Sequence, residues 1–396
     1  MAMAYLDHAA TTPMLPAAIA ATTAELGRVG NPSSLHTPGR AARRVVEESR
    51  EALAEGVGAR PGEVVFTSGG TEADNLAVKG LYWSRVAADG RRRRVLVGAG
   101  EHHAVLDAAA WLSREQGAQV EPLPLDAVGR VRLDALAESL ARDPGDVALV
   151  SVLWANNEVG TIQPVAEIVE LAHAYGIPVH SDAVQAAGQL DVRFATSGLD
   201  ALTLTGHKIG GPVGAGALVL RRDADVTPVL HGGGQERDVR SGTLDAAAYA
   251  GFAAALTEVV AGRADEAVRL AGLRDELVRR VLDAVPDAEL NGDPDPAGRL
   301  PGNAHFSFPG CEGDSLLLLL DARDVFCSTG SACSAGVAEP SHVLLAMGAS
   351  EERARGSLRF SLGHTSTEAD VDALAEAIGP AVERASRAGV AAHRVS

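Results

Sequence analysis

Residues Ala201 to Leu220 read ALTLTGHKIGGPVGAGALVL. Two strongly apolar runs flank a short polar centre of Thr205, Gly206, His207 and Lys208, which leads into a glycine-rich turn. The flanks predict strands. A lysine at a buried strand end is costly unless a partner or a reaction uses its charge.

Helical and extended patterns alternate on the N-terminal side of this stretch. Arg40 to Gly58 repeats apolar residues at helical spacing through Ala42, Val45, Val46 and Leu53. EVVFTSGG, RVLVGAG, VALVSVLWANN and IPVHSDA read as short buried strands, and a helix opens at Pro164 and closes at Gly176. This alternation predicts an α/β fold with a mostly parallel sheet covered by helices on both faces. After about Gly251 the texture changes. An amphipathic helix is expected from Ala264 to Val285, then a Pro/Gly loop over Asn291 to Asn303. The short strands AHFSFPG and SLRFSLG follow, and Thr367 begins a C-terminal helix with Asp370 at its third position. The expected division is a large α/β domain over residues 16–260 and a smaller α+β domain built from residues 1–15 and 261–396.

The totals narrow the function. With 396 residues, 22% charged and 46% apolar, the chain has a globular balance and room for a buried site. A net charge of -17 argues against nucleic acid as a ligand. The basic run Arg91 to Arg94 is read as a solvated loop before a strand. MAMAYLDHAATTP has no basic region followed by an apolar stretch, so no signal peptide is expected. The leucine run Leu316 to Leu320 is far too short to span a bilayer, so no membrane association is expected. Three cysteines do not make a disulfide framework, and a reducing cytoplasm is the default.

In open α/β sheets ligands bind at the C-terminal ends of the strands. Polar signals gather at those ends. Ser68, Gly69, Gly70 and Thr71 stand between a strand and a helix, where bare N–H groups bind anions. No nucleotide-binding glycine motif is present at a suitable turn. His102, Asn156, Asn157, Asp182 and Gln185 also follow strands. Each alone reads as a cap. Together with Lys208 they supply what pyridoxal 5'-phosphate requires: an imine-forming lysine, a carboxylate for the ring nitrogen, a flat side chain over the ring and an anion cradle.

Motifs spread over almost the whole chain carry a resemblance. They include YLDHAATTP, GNPSSLH, VVFTSGGTEADNLA, EHHAVL, NNEVGTIQP, HSDAVQAAG, TGHKIGGPVGAGAL, HGGGQERDVRSGT, STGSACSAG, EPSHVLLAMG and SLRFSLG. The chain resembles the cysteine desulfurases of the nitrogen-fixation and iron–sulfur-assembly type, within the class V aminotransferase family of the type I pyridoxal-phosphate fold. The resemblance implies that Lys208 is the Schiff-base lysine, that Asp182 pairs with the pyridinium nitrogen and that His102 stacks on the ring. Asn157 and Gln185 would contact the ring and its phenolic oxygen, and Gly70, Thr71, Thr205 and His207 would hold the phosphate. Thr243 would reach the phosphate of a neighbouring subunit, which implies a homodimer. Arg359 would bind the α-carboxylate of L-cysteine, helped by Asn31. Arg359 also suits that role chemically, since its planar fork matches a carboxylate.

Cys333 lies in CSTGSACSAG, a run of small residues that reads as a mobile loop over about 325–337. It matches the family's nucleophilic cysteine, with His102 a candidate to promote its thiolate. Cys327 departs from the family pattern and reads as a small buried residue, as does Cys311. The three cysteines fit no common metal pattern, so no metal site is expected. The implied reaction converts L-cysteine to L-alanine, leaves a persulfide on Cys333 and passes the sulfur to an acceptor protein or thiol. Selenocysteine lyase activity, another reaction of the same family and a non-enzymatic sulfur carrier are the alternatives. His364 stands where relatives commonly have arginine, and the C-terminal stretch RASRAGVAAHRVS shows no recognisable docking tail. The acceptor therefore stays open among iron–sulfur, tRNA-thiolation, DNA-modification and cofactor pathways.

Overall fold

The structure, a computed structural model, describes residues 3–330 and 339–393. Its strands are β1 (Ala4–Tyr5), β2 (Val64–Thr67), β3 (Arg94–Gly98), β4 (Gln119–Leu123), β5 (Val147–Ser151), β6 (Val179–Asp182), β7 (Ala201–Thr205), β8 (Gly216–Leu220), β9 (Glu289–Asn291), β10 (Asn303–Ser307), β11 (Val325–Phe326) and β12 (Ser357–Ser361). Its helices are α1 (Pro16–Leu26), α2 (Thr37–Gly56), α3 (Gly70–Ala88), α4 (His103–Gln116), α5 (Leu133–Arg142), α6 (Val165–His173), α7 (Phe194–Ser197), α8 (Ala246–Ala284), α9 (Gly313–Asp321), α10 (His342–Ala346), α11 (Glu351–Arg355) and α12 (Glu368–His393).

Seven strands form one sheet in the order β2-β8-β7-β6-β5-β3-β4. β2, β5, β6, β7 and β8 are buried along their whole length, as β-branched and leucine-rich runs covered on both faces should be. β3 through β7 pair in parallel. Only β8 runs against them, paired antiparallel to β7 and β2. The stretch Ala201–Leu220 is therefore one hairpin, with Thr205 opposite Gly216 across its turn. Gly216 is required there. A Cβ on it would stand 2.6 Å from the backbone of Gly69, so a side chain would push away the turn that opens α3.

A second core gathers β10, β12, α9, α12, β1 and the C-terminal half of α8. Its sheet is β12-β10-β9, antiparallel, beside the parallel pair β1-β11. The helix expected from Ala264 begins 18 residues earlier, at Ala246, and runs unbroken for 39 residues. Leu256 of this helix sits in the first core and Leu270 in the second, so one rigid element joins the two. Gly251 does not break it. It lets α1 approach so closely that a Cβ would meet the Thr22 hydroxyl at 2.1 Å. Asp370 caps α12 as expected, accepting from the backbone N–H and the hydroxyl of Thr367.

Two expectations need correction. Arg94 is not a loop residue. It is buried, opens β3, and forms ion pairs with Asp146 at 2.8 Å and Glu121 at 3.0 Å, because a strand start inside the sheet supplied acidic partners. The start of the loop expected over about 325–337 is ordered in strand pairing, and residues 331–338 lie outside the described residues. Val325 and Phe326 pair with β1, and Ser328 bridges to Arg359. Among the described residues no helix is long and apolar enough to cross a membrane.

The segment before α8 is held by one buried carboxylate. Glu236 accepts from both arms of Arg50, at 2.6 and 2.7 Å, and from the backbone N–H of Phe66 at 2.7 Å. Glu236, Arg237 and Asp238 all have positive φ, at 46°, 58° and 63°, a strained run that this anchor fixes against β2. Glu236→Ala should lower stability by about 3 kcal/mol, since it removes a two-armed contact and leaves buried Arg50 with only Glu47 and the Val64 carbonyl as partners. Denaturant unfolding checks this: a loss below about 1 kcal/mol would mean the anchor is not stabilising.

Candidate active site

Parallel strands deliver their C-terminal ends to one edge of the sheet. There β2 leads into Gly70 and Thr71, β3 into His102, β5 into Asn157, β6 ends at Asp182 and β7 leads into Thr205, His207 and Lys208. These residues line one cavity of about 350 Å3, together with Gln185. Ala9 and Ala10 from the N-terminal segment close one side, and Ser328, Gly330, His342 and Arg359 close another.

The sequence holds only two lysines, Lys79 and Lys208. Lys79 is held 4.5 Å above the ring of Trp111. Lys208 donates from Nζ to the carbonyls of Ala9 and Ala10. Burial, with help from the Arg359 guanidinium, pulls its ammonium down to about 8, against the opposing pull of Asp7 and Asp182. A larger share of this lysine is therefore neutral amine at physiological pH than of an ordinary one. Asp182 is buried at the end of β6 and accepts from the N–H of Val184 at 2.7 Å. Burial raises its carboxyl to about 6, although the Val184 N–H and Lys208 both favour its anion. Gln185 donates to the same Ala9 carbonyl that Lys208 uses, at 2.9 Å.

Gly70 begins α3, and no side chain caps the helix. Its first N–H groups are thus free for an anion from the cavity. Glu72 in the same turn is drawn away by Arg240, at 2.6 Å, and by Ser68. Thr205 gives its hydroxyl to the Ala215 carbonyl at 3.2 Å, and His207 contacts the Thr11 hydroxyl at 3.3 Å. His102 caps α4, accepting from the N–H of Ala104 on Nδ1 at 3.1 Å. Its ring opens to the cavity yet is ringed by protein. Burial, then Lys208, brings its pKa down to about 4. His102 is therefore a neutral ring, suited to stacking.

Arg359 comes from β12, which is buried throughout, so it does not sit on a half-exposed strand face. Its two arms reach the Asn157 carbonyl at 2.9 Å and Asp7 at 2.7 Å, and Nε has no hydrogen-bond partner. The second core thereby sets a guanidinium over the edge of the first. Asn31 does not join it. Asn31 is exposed in the loop before α2, where its side chain accepts from the N–H of Ser33. Thr243 is also exposed and does not line this cavity. Cys333 lies outside the described residues. Cys327 is buried, and burial pushes its thiol up to about 12. Among the described residues no group of three metal-binding side chains occurs.

Sequence reading missed Asp74, which lines the cavity floor, and Asp7, which holds Arg359. Asp74 was within reach of helical periodicity, being one turn after Gly70 on the sheet-facing side. Asp7 was not, because its partner lies 352 residues away. The residues present fit pyridoxal phosphate. A free helix N-terminus, a buried carboxylate and a lysine bonded only to backbone carbonyls surround one cavity.

An α/β fold with a lysine and a carboxylate at the sheet edge defines a class of cofactor-dependent transferases, and comparison narrows it. The profile of the family described as Aminotransferase class-V matches residues 4–374, and the chain belongs to that family. An IscS-like cysteine desulfurase of Mycobacterium tuberculosis is 60% identical over 390 residues, covering 98% of this chain and 99% of that protein. A solved NifS-like protein superposes with a TM-score of 0.88 at 31% identity, covering 96% of this chain and all of that one. The structure described as SspA in complex with cysteine superposes with a TM-score of 0.79 at 30% identity over 91% and 98% of the two chains. The chain is an enzyme of the cysteine desulfurase type, within a family that depends on pyridoxal phosphate.

The lowered Lys208 value has a direct readout. In cofactor-free protein, amine labelling at Lys208 should rise with a midpoint near pH 8. Peptide mass spectrometry separates it from Lys79, and a midpoint at the ordinary lysine value would contradict the burial argument.

Proposed function

We propose that Lys208 binds pyridoxal 5'-phosphate and that the cavity desulfurates L-cysteine to L-alanine. The single observation that supports this most is the lysine itself: half-buried, lowered to about 8, and bonded only to the carbonyls of Ala9 and Ala10. When bound, the cofactor supplies an electron sink for the substrate's Cα. Asp182 holds the ring nitrogen and His102 covers the ring. Gly70, Thr71, Thr205 and His207 take the phosphate, and Asn157 and Gln185 orient the ring. Lys208, its amine shifted toward the neutral form, would move the Cα proton as a general base. Arg359 takes the substrate carboxylate on its free N–H groups.

Cys333 then attacks the substrate sulfur. The carbon–sulfur bond breaks, a sulfur–sulfur bond forms and the freed carbon takes a proton. L-Cysteine is reduced to L-alanine as the Cys333 thiol is oxidised to a persulfide, so no outside oxidant is required. The persulfide passes its sulfur to an acceptor protein or thiol, for iron–sulfur clusters or another thiolated product. Thr243, exposed on the segment that Glu236 anchors, serves the phosphate site of a second copy in a homodimer. The enzyme works in the cytoplasm.

Borohydride treatment of the cofactor-loaded enzyme should fix the label on Lys208 and not on Lys79. Cys333→Ala should abolish persulfide formation and alanine release from L-cysteine, while leaving the visible band of the bound cofactor. Full desulfuration by that variant would refute the sulfur route, and a colourless wild type would refute the cofactor. Arg359→Lys keeps a charge for Asp7 but loses the planar fork. It should raise KM for L-cysteine roughly 10- to 100-fold, the equivalent of one charge-assisted hydrogen bond, with the fold intact.

A further inference from the structure

Three buried carboxyl groups lie within electrostatic reach of one another: Asp182 at the end of β6, Asp74 on α3 and Glu101 in the loop between β3 and α4. Asp74 and Glu101 are each only 1% exposed. Their surroundings differ. Glu101 accepts from the N–H of Leu153 at 2.6 Å on one oxygen, and its other oxygen has no hydrogen-bond partner. Asp182 accepts from Val184 and faces Lys208. Oδ1 of Asp74 has no hydrogen-bond partner.

Nε2 of His180 stands 3.6 Å from it, and the Thr203 hydroxyl, which favours the Asp74 anion, bonds the same side chain. That nitrogen is already engaged with the Thr203 hydroxyl at 3.0 Å, while Nδ1 meets the Ser151 hydroxyl at 2.9 Å. Full burial holds the His180 ring neutral, down at about 3, so it offers Asp74 no positive charge. The remaining groups facing Asp74 are Asp182, Glu101 and the Thr203 hydroxyl. Lys208 exerts its pull on Asp182. Two carboxylates cannot both ionise cheaply in one dry site, and the one without a cation keeps the proton. Burial first, and Asp182 second, hold the Asp74 proton well above the usual carboxylate range.

We propose that Asp74 is a positioning residue that remains a neutral acid beneath Asp182, leaving Asp182 as the single anion presented to the cofactor ring. The proposal rests on the reading of Lys208 and Asp182 as the cofactor-holding pair. A second anion on the floor would drive Asp182 to keep a proton itself, and the ring nitrogen would lose its ionic partner. A neutral Asp74 adds no charge to the floor.

The test has two arms. Infrared spectra of the cofactor-free protein at neutral pH should contain a protonated-carboxyl stretch that Asp74→Asn removes. In the cofactor-loaded enzyme, Asp74→Asn and Asp74→Leu, both neutral, should leave the pH midpoint of the visible band at its wild-type position, because neither removes a charge. Absence of the infrared band, or an Asn variant whose midpoint moves by about one unit or more, as loss of an anion beside Asp182 would cause, would each overturn the proposal. If Asp74→Leu does not fold, the Asn variant and the infrared arm still decide it. A wild type that forms no imine at Lys208 would instead defeat the functional reading, and the infrared arm would still fix the charge state of Asp74.

Discussion

A half-buried lysine facing a buried carboxylate is the constraint on which the site depends. Lys208 and Asp182 stand at the ends of adjacent parallel strands, β7 and β6. Neither charge is at ease there. Burial lowers the lysine to about 8 and raises the aspartate to about 6, and each partly offsets the other. Such opposed displacements mark groups prepared for chemistry rather than for stability. The rest of the floor follows the same logic. His102, His180 and His207 are all displaced toward the neutral form, so the cavity holds rings rather than further cations beside the lysine.

The scaffold makes this arrangement stiff. Strands buried on both faces fix the height of each polar end, and the hairpin β7–β8 locks Lys208 in register with the turn that opens α3. The second core contributes Arg359 through β12, tied back to the first by Asp7 and by the Asn157 carbonyl. The continuous helix α8 reaches both cores, so the arginine is carried by an element linked directly to the sheet that carries the lysine. The guanidinium and the lysine thus come from separate cores around one cavity.

Much of this was legible in the chain because its signals are local. Short apolar runs ending in polar residues specified the strands and which end of each was polar, and parallel alternation placed those ends together. Lys208, Asp182, His102, Asn157 and Gln185 line one cavity for that reason. The helix boundary at Ala246 was misread because Gly251 looks like a breaker. Its role, admitting α1, depends on a neighbour more than 200 residues away in the chain. Arg94 was misread for the same reason, since its acidic partners at Glu121 and Asp146 come from other elements.

Sequence alone therefore determined the class of fold, the lysine and the polar residues gathered around it, because periodicity and strand ends are properties of contiguous residues. Only the tertiary structure decided the electrostatics. Whether His102 is a cation or a neutral ring, whether Arg359 is free or held by Asp7, and which of three acids keeps a proton all depend on burial and on partners distant in the chain. Desolvation is a property of the assembled interior, and no local pattern encodes it.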